Sequence, residues 1–373
     1  METCDVLIVG GGPAGSTCAR ELQRAGLDVV ILDKAQFPRD KVCAGWVTPA
    51  VMESLGIDPD EYGHNHTLQP ISAFRTSRLG DDPILTRFDH VISYGIRRCE
   101  FDDYLLRRCG ARLRLGEKLS SIEKQGGHWI INGNIKTPLV IGAGGHYCPV
   151  ARFMGAKLGA SELPVAAQEI EFVLNDEQLR HCPVEADTPE LFFTQDLKGY
   201  GWIFRKGNYL NIGLGRQDNN KLAGHVADFV TQLQQAGRIP ADLPKFSGHA
   251  YLLYPDAPRK VLMDNMLLIG DAAGLAYPQS GEGIRPAIES ALLAANTIIA
   301  ANHDYSAGRL QVYERALAER FGKRGRGLLG QLVPHALKQQ LAGLLMRMPW
   351  FARHVIIDRW FLHSQQAPLL PGI

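Results

Sequence analysis

The chain opens on a strand, a glycine-rich turn and a helix, and this unit leaves few folds open to it. Val6-Leu7-Ile8-Val9 is an apolar run suited to a buried parallel strand. Gly10-Gly11-Gly12-Pro13-Ala14-Gly15 comes next, with Gly10, Gly12 and Gly15 in GxGxxG register. Residues 16–25 have helical composition, Gly26 ends that helix, and Val29-Val30-Ile31-Leu32 reads as a second strand closed by Asp33. Each part has a physical task. Gly10 permits the turn, Gly12 lets backbone amides approach a pyrophosphate, and Gly15 lets the helix pack close to the strand. The helix N-terminus stabilises phosphate charge, and Asp33 can accept hydrogen bonds from ribose hydroxyls. A glycine turn alone is weak evidence. Placed between strand and helix, with an acid about twenty residues on, it predicts a bound dinucleotide.

The rest of the composition narrows the class. The 373 residues suffice for two domains, and 45% hydrophobic with 21% charged residues is ordinary globular usage. Forty Lys+Arg against 39 Asp+Glu leave a net charge of +1, without the basic footprint of a nucleic-acid binder. Seven cysteines at 4, 18, 43, 99, 109, 148 and 182 are scattered singly, with no metal-type spacing. No metal site is expected, and a reduced cytoplasmic setting fits better than a disulfide scaffold. The N-terminus lacks the pattern of a signal peptide, and no apolar run reads as long enough to span a bilayer.

Two later segments bear on which dinucleotide is bound. Met266-Leu267-Leu268-Ile269 is another apolar strand, ending in Gly270-Asp271, where an acid can reach ribityl hydroxyls. Gly281-Glu282-Gly283-Ile284 then opens a long small-residue helix over 285–301. Its free amides suit a flavin's pyrimidine edge, where negative charge grows on reduction.

With these residues the chain resembles the FAD-dependent oxidoreductases of the para-hydroxybenzoate hydroxylase fold class, and within them the geranylgeranyl reductase family. Further carriers of the resemblance are Phe37-Pro38-Arg39-Asp40-Lys41-Val42-Cys43-Ala44-Gly45, Arg98-Cys99-Glu100-Phe101-Asp102, and Tyr200-Gly201-Trp202-Ile203-Phe204 followed by Gly213-Leu214-Gly215. The resemblance implies an α/β fold: a Rossmann-like FAD-binding domain, an antiparallel β-sheet substrate domain and a C-terminal helical segment. Residues 1–65, 94–160 and 262–305 are assigned to the first, 66–93 and 161–261 to the second, and 306–373 to the third. Val165–Val173 and Glu190–Phe193 read as strands of the sheet, and Gly207-Asn208 as a hairpin turn.

The resemblance implies non-covalent FAD held by Gly10, Gly12, Pro13, Ala14, Gly15, Asp33, Lys34, Lys41, Cys43, Ala44, Arg98, Gly270, Asp271, Gly281, Gly283 and Ile284. Cys43, Tyr200 and Trp202 are the catalytic candidates. For Arg98, an ordinary surface pair with Asp102 is the competing reading, and for Cys43, a small buried hydrophobe. Two departures stand out: Arg205 replaces the family's proline after the Tyr-x-Trp-x-Phe motif, and Gly144 stands where related hydroxylases carry an aspartate.

The expected activity is reduction of a carbon–carbon double bond in a small apolar, amphipathic or isoprenoid-like substrate. A monooxygenase or halogenase on the same fold is the alternative, although a halogenase's Trp-x-Trp-x-Ile-Pro segment is missing. A non-catalytic flavoprotein that sequesters a lipid or toxin is the alternative of another class. NADPH, another reductant or an electron-donor protein would supply electrons. Residues 341–362 interleave apolar side chains with Arg347, Arg353, Arg359, Trp350 and Trp360, which reads either as a packed lid or as a peripheral membrane contact.

Overall fold

The computed structural model describes residues 1–157, 162, 164–218, 221–257, 259–322 and 341–372. The opening motif forms as its composition dictates. Val6–Val9 and Val29–Asp33 lie side by side as parallel strands joined by the Pro13–Arg24 helix. Proline at the first helical position is pre-set for helix and has no N–H to waste. These strands are central in a six-stranded sheet, in the order Leu262–Met263, Met266–Leu268, Leu139–Gly142, Val6–Val9, Val29–Asp33 and Arg112–Leu115. All pairs are parallel except the short 262–263 with 266–268 ladder. Both faces are covered, so the inner strands are apolar throughout: Val6, Leu7, Ile8, Val140 and Ile141 are each 0% exposed.

Helix Ile284–Ala301 packs on Pro13–Arg24 through small residues. At Gly270, with φ +59°, a Cβ would come within 3.0 Å of Ala14 Cβ and 3.3 Å of Ala287 Cβ. By length and composition alone its 18 residues could cross a membrane, although Arg285 and Glu289 leave no uninterrupted apolar run of that length. It is a core helix all the same: 78% of that window is buried inside the fold.

A second sheet of seven strands runs Ser247–Tyr251, Val165–Val173, Tyr209–Arg216, Gly199–Lys206, Glu190–Phe193, Ala73–Arg78 and Ile84–Arg87. It is antiparallel, as expected, except where Glu190–Phe193 runs parallel to Ala73–Arg78. The Gly207-Asn208 turn closes a two-residue hairpin with Lys206 opposite Tyr209. A three-stranded sheet, Trp46–Val47, Ser93–Ile96 and Leu68–Ile71, is interleaved with the larger two in sequence. A four-stranded sheet of Glu2–Thr3, Ile135–Thr137, His128–Ile131 and Ile122–Gln125 completes the set.

The seven-stranded sheet is covered on both faces. Ile170, Ile203, Ile212 and Leu214 pack on Phe229 of the Leu222–Gln235 helix. The opposite face presents Ala167, Trp202, Phe204 and Phe193 to the C-terminal segment, which buries Met346, Ile356, Ile357 and Phe361 against them. That segment ends in a π-helical stretch, Ala352–Phe361. The lid reading therefore describes its inner side, while Leu341, Leu344, Met348 and Trp350 remain 49–65% exposed. The helical pattern expected over 323–340 lies outside the described residues.

Candidate active site

The loops at the carboxyl ends of the parallel strands meet the inner face of the seven-stranded sheet, and the expected cofactor residues gather at this seam. The three motif glycines divide by task. A Cβ on Gly15 would sit 1.8 Å from the Gly10 carbonyl oxygen, and one on Gly10 would sit 2.4 Å from that of Ala143. Those two are glycine because the fold needs the space. Gly12 is different: the nearest atom to a Cβ there is Arg39 Nη2, at 3.6 Å. The room is kept for something other than protein. Arg39 Nη1 beside it is buried and without a partner among the described residues, and the helix start carries neither a side-chain cap nor an acid in its first turn. An open glycine turn, uncapped amides and a guanidinium with one nitrogen to spare are the donor set of a pyrophosphate cradle, so these residues fit a dinucleotide.

Asp33 takes the Gly11 amide on Oδ2 at 2.7 Å and the Ala35 amide on Oδ1 at 2.8 Å. Each oxygen keeps a lone pair for a ribose hydroxyl. Lys34 is exposed on the adjoining lip. Pro13 and Ala14 form the first helical turn, and Ile284 is buried where the long helix begins.

Arg98 does not form the surface pair that sequence alone allows. It is 9% exposed and bidentate to fully buried Asp102 at 2.8 and 2.9 Å, and Arg39 also approaches Asp102 at 3.3 Å. Burial opposes the Arg98 charge, but Asp102 and then the Cys43 thiol outweigh that and hold the guanidinium even more firmly protonated than usual. Burial raises the Asp271 carboxyl above the ordinary carboxylate range, with Lys41, Arg98 and Arg259 pulling it back. Burial lowers Lys41, whose Nζ lies 3.1 Å from His249 Nδ1, and Asp271 opposes that effect.

Two tyrosines pin the 278–283 loop to the sheet. The Tyr200 hydroxyl donates to the Ser280 carbonyl, and Tyr251 lies over Gly281, where a Cβ would come within 2.4 Å of its oxygen. Gly283 is held against Asp271, its Cβ position 3.0 Å from Oδ1. Trp202 donates through Nε1 to Asn211 at 2.7 Å, so it offers its ring rather than a polar atom. Of the three catalytic candidates, Tyr200 and Trp202 are thus walls and struts. Cys43 is the one with transferable chemistry: half-buried, unoxidised, and electrostatically linked to Arg98, Tyr200 and Tyr251.

The Arg205 departure does not place a charge in this cavity. Strand side chains alternate, and Arg205 pairs with Leu210 on the face turned to the Leu222–Gln235 helix. The inward cation is its neighbour Lys206, fully buried, which donates to the carbonyls of Ala44 at 2.9 Å and Ile96 at 3.0 Å and pairs with Glu171. It fixes the loop that carries Cys43 and Ala44. Lys206, Arg39 and Glu169 do not stand out in the sequence as site residues. The signal available for them is the strand alternation, which puts 169, 171 and 206 on the inner face.

A cavity of about 210 Å³ is lined by Phe193, Tyr200, Tyr251 and Leu253 from the sheet side, Pro278 and Gly281 from the cofactor loop, and Met346 and Trp360 from the C-terminal segment; Cys43 is not in its lining.

Residues 3–60 match the family model described as FAD binding domain. Among curated relatives, a digeranylgeranylglycerophospholipid reductase of Methanosphaera stadtmanae is 28% identical over 349 residues, covering 87% of this chain and 85% of that one. A menaquinone reductase of Mycobacterium tuberculosis is 29% identical over 345 residues, covering 86% and 81%. Among solved structures, a geranylgeranyl bacteriochlorophyll reductase-like protein of Thermoplasma acidophilum superposes with TM-score 0.74 at 23% identity, covering 93% of this chain and 88% of that one. A flavin-dependent halogenase follows with TM-score 0.65 at 22% identity, covering 86% and 63%. The structural matches carry the fold, and the sequence matches extend along most of the chain. The protein is a FAD-dependent oxidoreductase, similar along most of its length to reductases of isoprenoid lipids and of menaquinone.

Proposed function

We propose that the protein reduces a carbon–carbon double bond in an isoprenoid-like substrate. The observation that supports this most is the aromatic and aliphatic cavity between the cofactor loop and the sheet, with the Cys43 loop held against the same sheet face. FAD, when bound and reduced, supplies a hydride. The chain's own residues do the rest. Phe193, Tyr251, Met346 and Trp360 take up the apolar chain and exclude water. Tyr200 holds the cofactor loop at fixed height over the sheet. The Cys43 thiol gives a proton to the carbon that does not receive hydride, and Arg98 beside it stabilises the thiolate left behind.

The sequence has one glycine-rich dinucleotide unit, so the reductant, NADPH or an electron-donor protein, docks transiently rather than at a second built domain. The exposed apolar residues of the C-terminal segment sit next to Ala342, Met346 and Trp360 of the cavity wall. They suit a protein that meets its substrate at a membrane surface.

The test is anaerobic mixing of photoreduced enzyme with a prenyl olefin, followed through the absorbance of oxidised flavin. Wild type should reoxidise with formation of the saturated product. Cys43→Ala should bind FAD equally and react at least about tenfold more slowly, a loss of about 1.4 kcal/mol in the transition state alone. Full-speed reaction of Cys43→Ala removes the thiol from the mechanism. Product formed only with oxygen makes the enzyme a monooxygenase, and tight flavin binding without turnover by any donor makes it a sequestering protein.

A further inference from the structure

Strand Val165–Val173 carries two acids on its inner face, and the fold treats them differently. Glu171 is fully engaged: it pairs with Lys206, lies 3.4 Å from Arg97 Nε and accepts from Asn211 at 3.3 Å. Glu169, two residues earlier, is 5% exposed. Its Oε1 accepts the backbone amide of Cys43, and its Oε2 is buried with no partner among the described residues. On the sheet its neighbours are Gly213 and then Trp202 on one side, and Ser247 on the other. Gly213 keeps this row close: a Cβ there would come 2.8 Å from Glu169 Cβ.

An ionised carboxylate with one unsolvated, unpaired oxygen is costly in such a place, and a protonated one is not. The charged groups around it are few. Lys206 and Arg98 favour the anion, as does the Cys43 amide, while Glu171 on the same strand opposes it. Burial outweighs these and pushes the acid up to about 7. Neither hydride transfer nor protonation by Cys43 uses this proton.

We propose that Glu169 is the proton reservoir behind Cys43, recharging the thiol after each reduction. The proposal rests on the reductase reading. In the reduction, the Cys43 S–H bond breaks and a C–H bond forms at one alkene carbon, while the other carbon takes the hydride delivered by reduced FAD. The π electron pair becomes the new C–H bond to the proton, and a thiolate remains. The Glu169 O–H bond then breaks and S–H re-forms. The resulting carboxylate, offset by Lys206 and Arg98, takes a proton from water before the next cycle. Oε1 keeps the amide of Cys43 throughout, so donor and acceptor stay in register.

Glu169→Gln preserves an acceptor for the Cys43 amide and removes the transferable proton, and Glu169→Asp keeps an acid on a shorter stem should the amide variant fold poorly. Two readouts on the FAD-loaded enzyme decide the matter. The first is infrared difference titration in the absence of substrate. A protonated-carboxyl stretch that disappears near pH 7 should be present in wild type, absent in Glu169→Gln and displaced in Glu169→Asp. Loss of that stretch only in the ordinary glutamate range overturns the proposal. The second compares one turnover with many, using a prenyl olefin. The first reduction by Glu169→Gln should stay within about twofold of wild type, because Cys43 already holds its proton. Steady-state turnover should fall at least about tenfold and recover with added formic acid buffer. Equal steady-state rates across pH 6 to 9 overturn the proposal. A slow first turnover in Cys43→Ala together with normal steady state in Glu169→Gln rejects the reservoir and leaves the reductase reading intact. A full-speed Cys43→Ala rejects the reading itself.

Discussion

At the scale of single residues, the three motif glycines separate cofactor binding from folding. Gly12→Val places its methyl groups where the nearest protein atom is 3.6 Å from the Cβ, so the variant should fold and lose FAD. Retention should drop at least about tenfold, or about 1.4 kcal/mol. Gly15→Ala should do the reverse, destabilising the fold by about 3 kcal/mol or more because its Cβ would collide with a backbone carbonyl. Flavin absorbance per folded molecule and melting temperature, measured on both variants, check this. Equal FAD content in folded Gly12→Val and wild type would contradict it. The motif residues are legible in the sequence because local geometry forces them. Glu169 is not, since Gln168-Glu169-Ile170-Glu171-Phe172 alternates like a strand with one wet face. In the fold neither face is wet: Ile170 meets the Leu222–Gln235 helix and Glu169 meets the cofactor side.

At the scale of elements, the sheet strands and the hairpin follow from turn chemistry and period, whereas the facing of Arg205 does not follow from its identity. Counting two residues per repeat from Trp202 puts Phe204 and Lys206 inside and Arg205 outside, and the pairing register agrees. The C-terminal segment is ambiguous in sequence for a physical reason: an amphipathic helix looks the same whether its apolar side meets a sheet or a bilayer. Here it does the first with Met346, Ile356, Ile357 and Phe361, and Leu344 and Trp350 are left over at 65% and 63% exposure. If those two serve a membrane surface, replacing both by serine should leave FAD content and melting unchanged and weaken binding to anionic vesicles by about tenfold or more. Co-sedimentation at several lipid concentrations measures this, and unchanged binding would remove the surface role.

At the scale of the whole molecule, buried ionisable groups around the cofactor set the pH dependence of stability. Burial lowers His146 and His363 from 6.5 to about 4, and His249 to about 2, with nearby Lys41 or Arg285 adding to it. Over about pH 4.5 to 6.5 the unfolded chain binds these three protons more tightly, so their contribution to stability rises with pH. Glu169 and Glu282 act oppositely. Burial raises them from 4.5 to about 7 and about 8, and both Glu282 oxygens are shielded and unpartnered among the described residues. The stability they contribute is present below about pH 4.5 and is lost as pH rises through 7 and 8. Of these five groups, three histidines outweigh two glutamates up to about pH 6.5, and above it the glutamates are the ones still titrating. Carboxylates held low by arginine, such as Asp196 and Asp218, titrate below this window. Thermal stability should therefore peak near pH 6.5 and fall toward pH 8, and Glu282→Gln should flatten the fall. A midpoint still climbing between pH 7 and 8 contradicts this balance.

The last residues of the chain are tied inward. Arg285, at the start of the long helix, pairs with Glu289 at 2.8 Å and donates to the carbonyl of Gln366 at 2.7 Å, and Arg320 donates to that of Ala367 at 2.7 Å. The helix that begins there carries Gly283 and Ile284 at its N-terminus. The order of synthesis gives this tie a meaning in time. Gly10 to Asp33 leave the ribosome first, but the second flank of the flavin site and the tail that anchors it leave last. A nascent chain can present the pyrophosphate cradle while the second flank of the flavin site is still unmade. A chain stalled or clipped before Gln366 would emerge folded over most of its length and colourless.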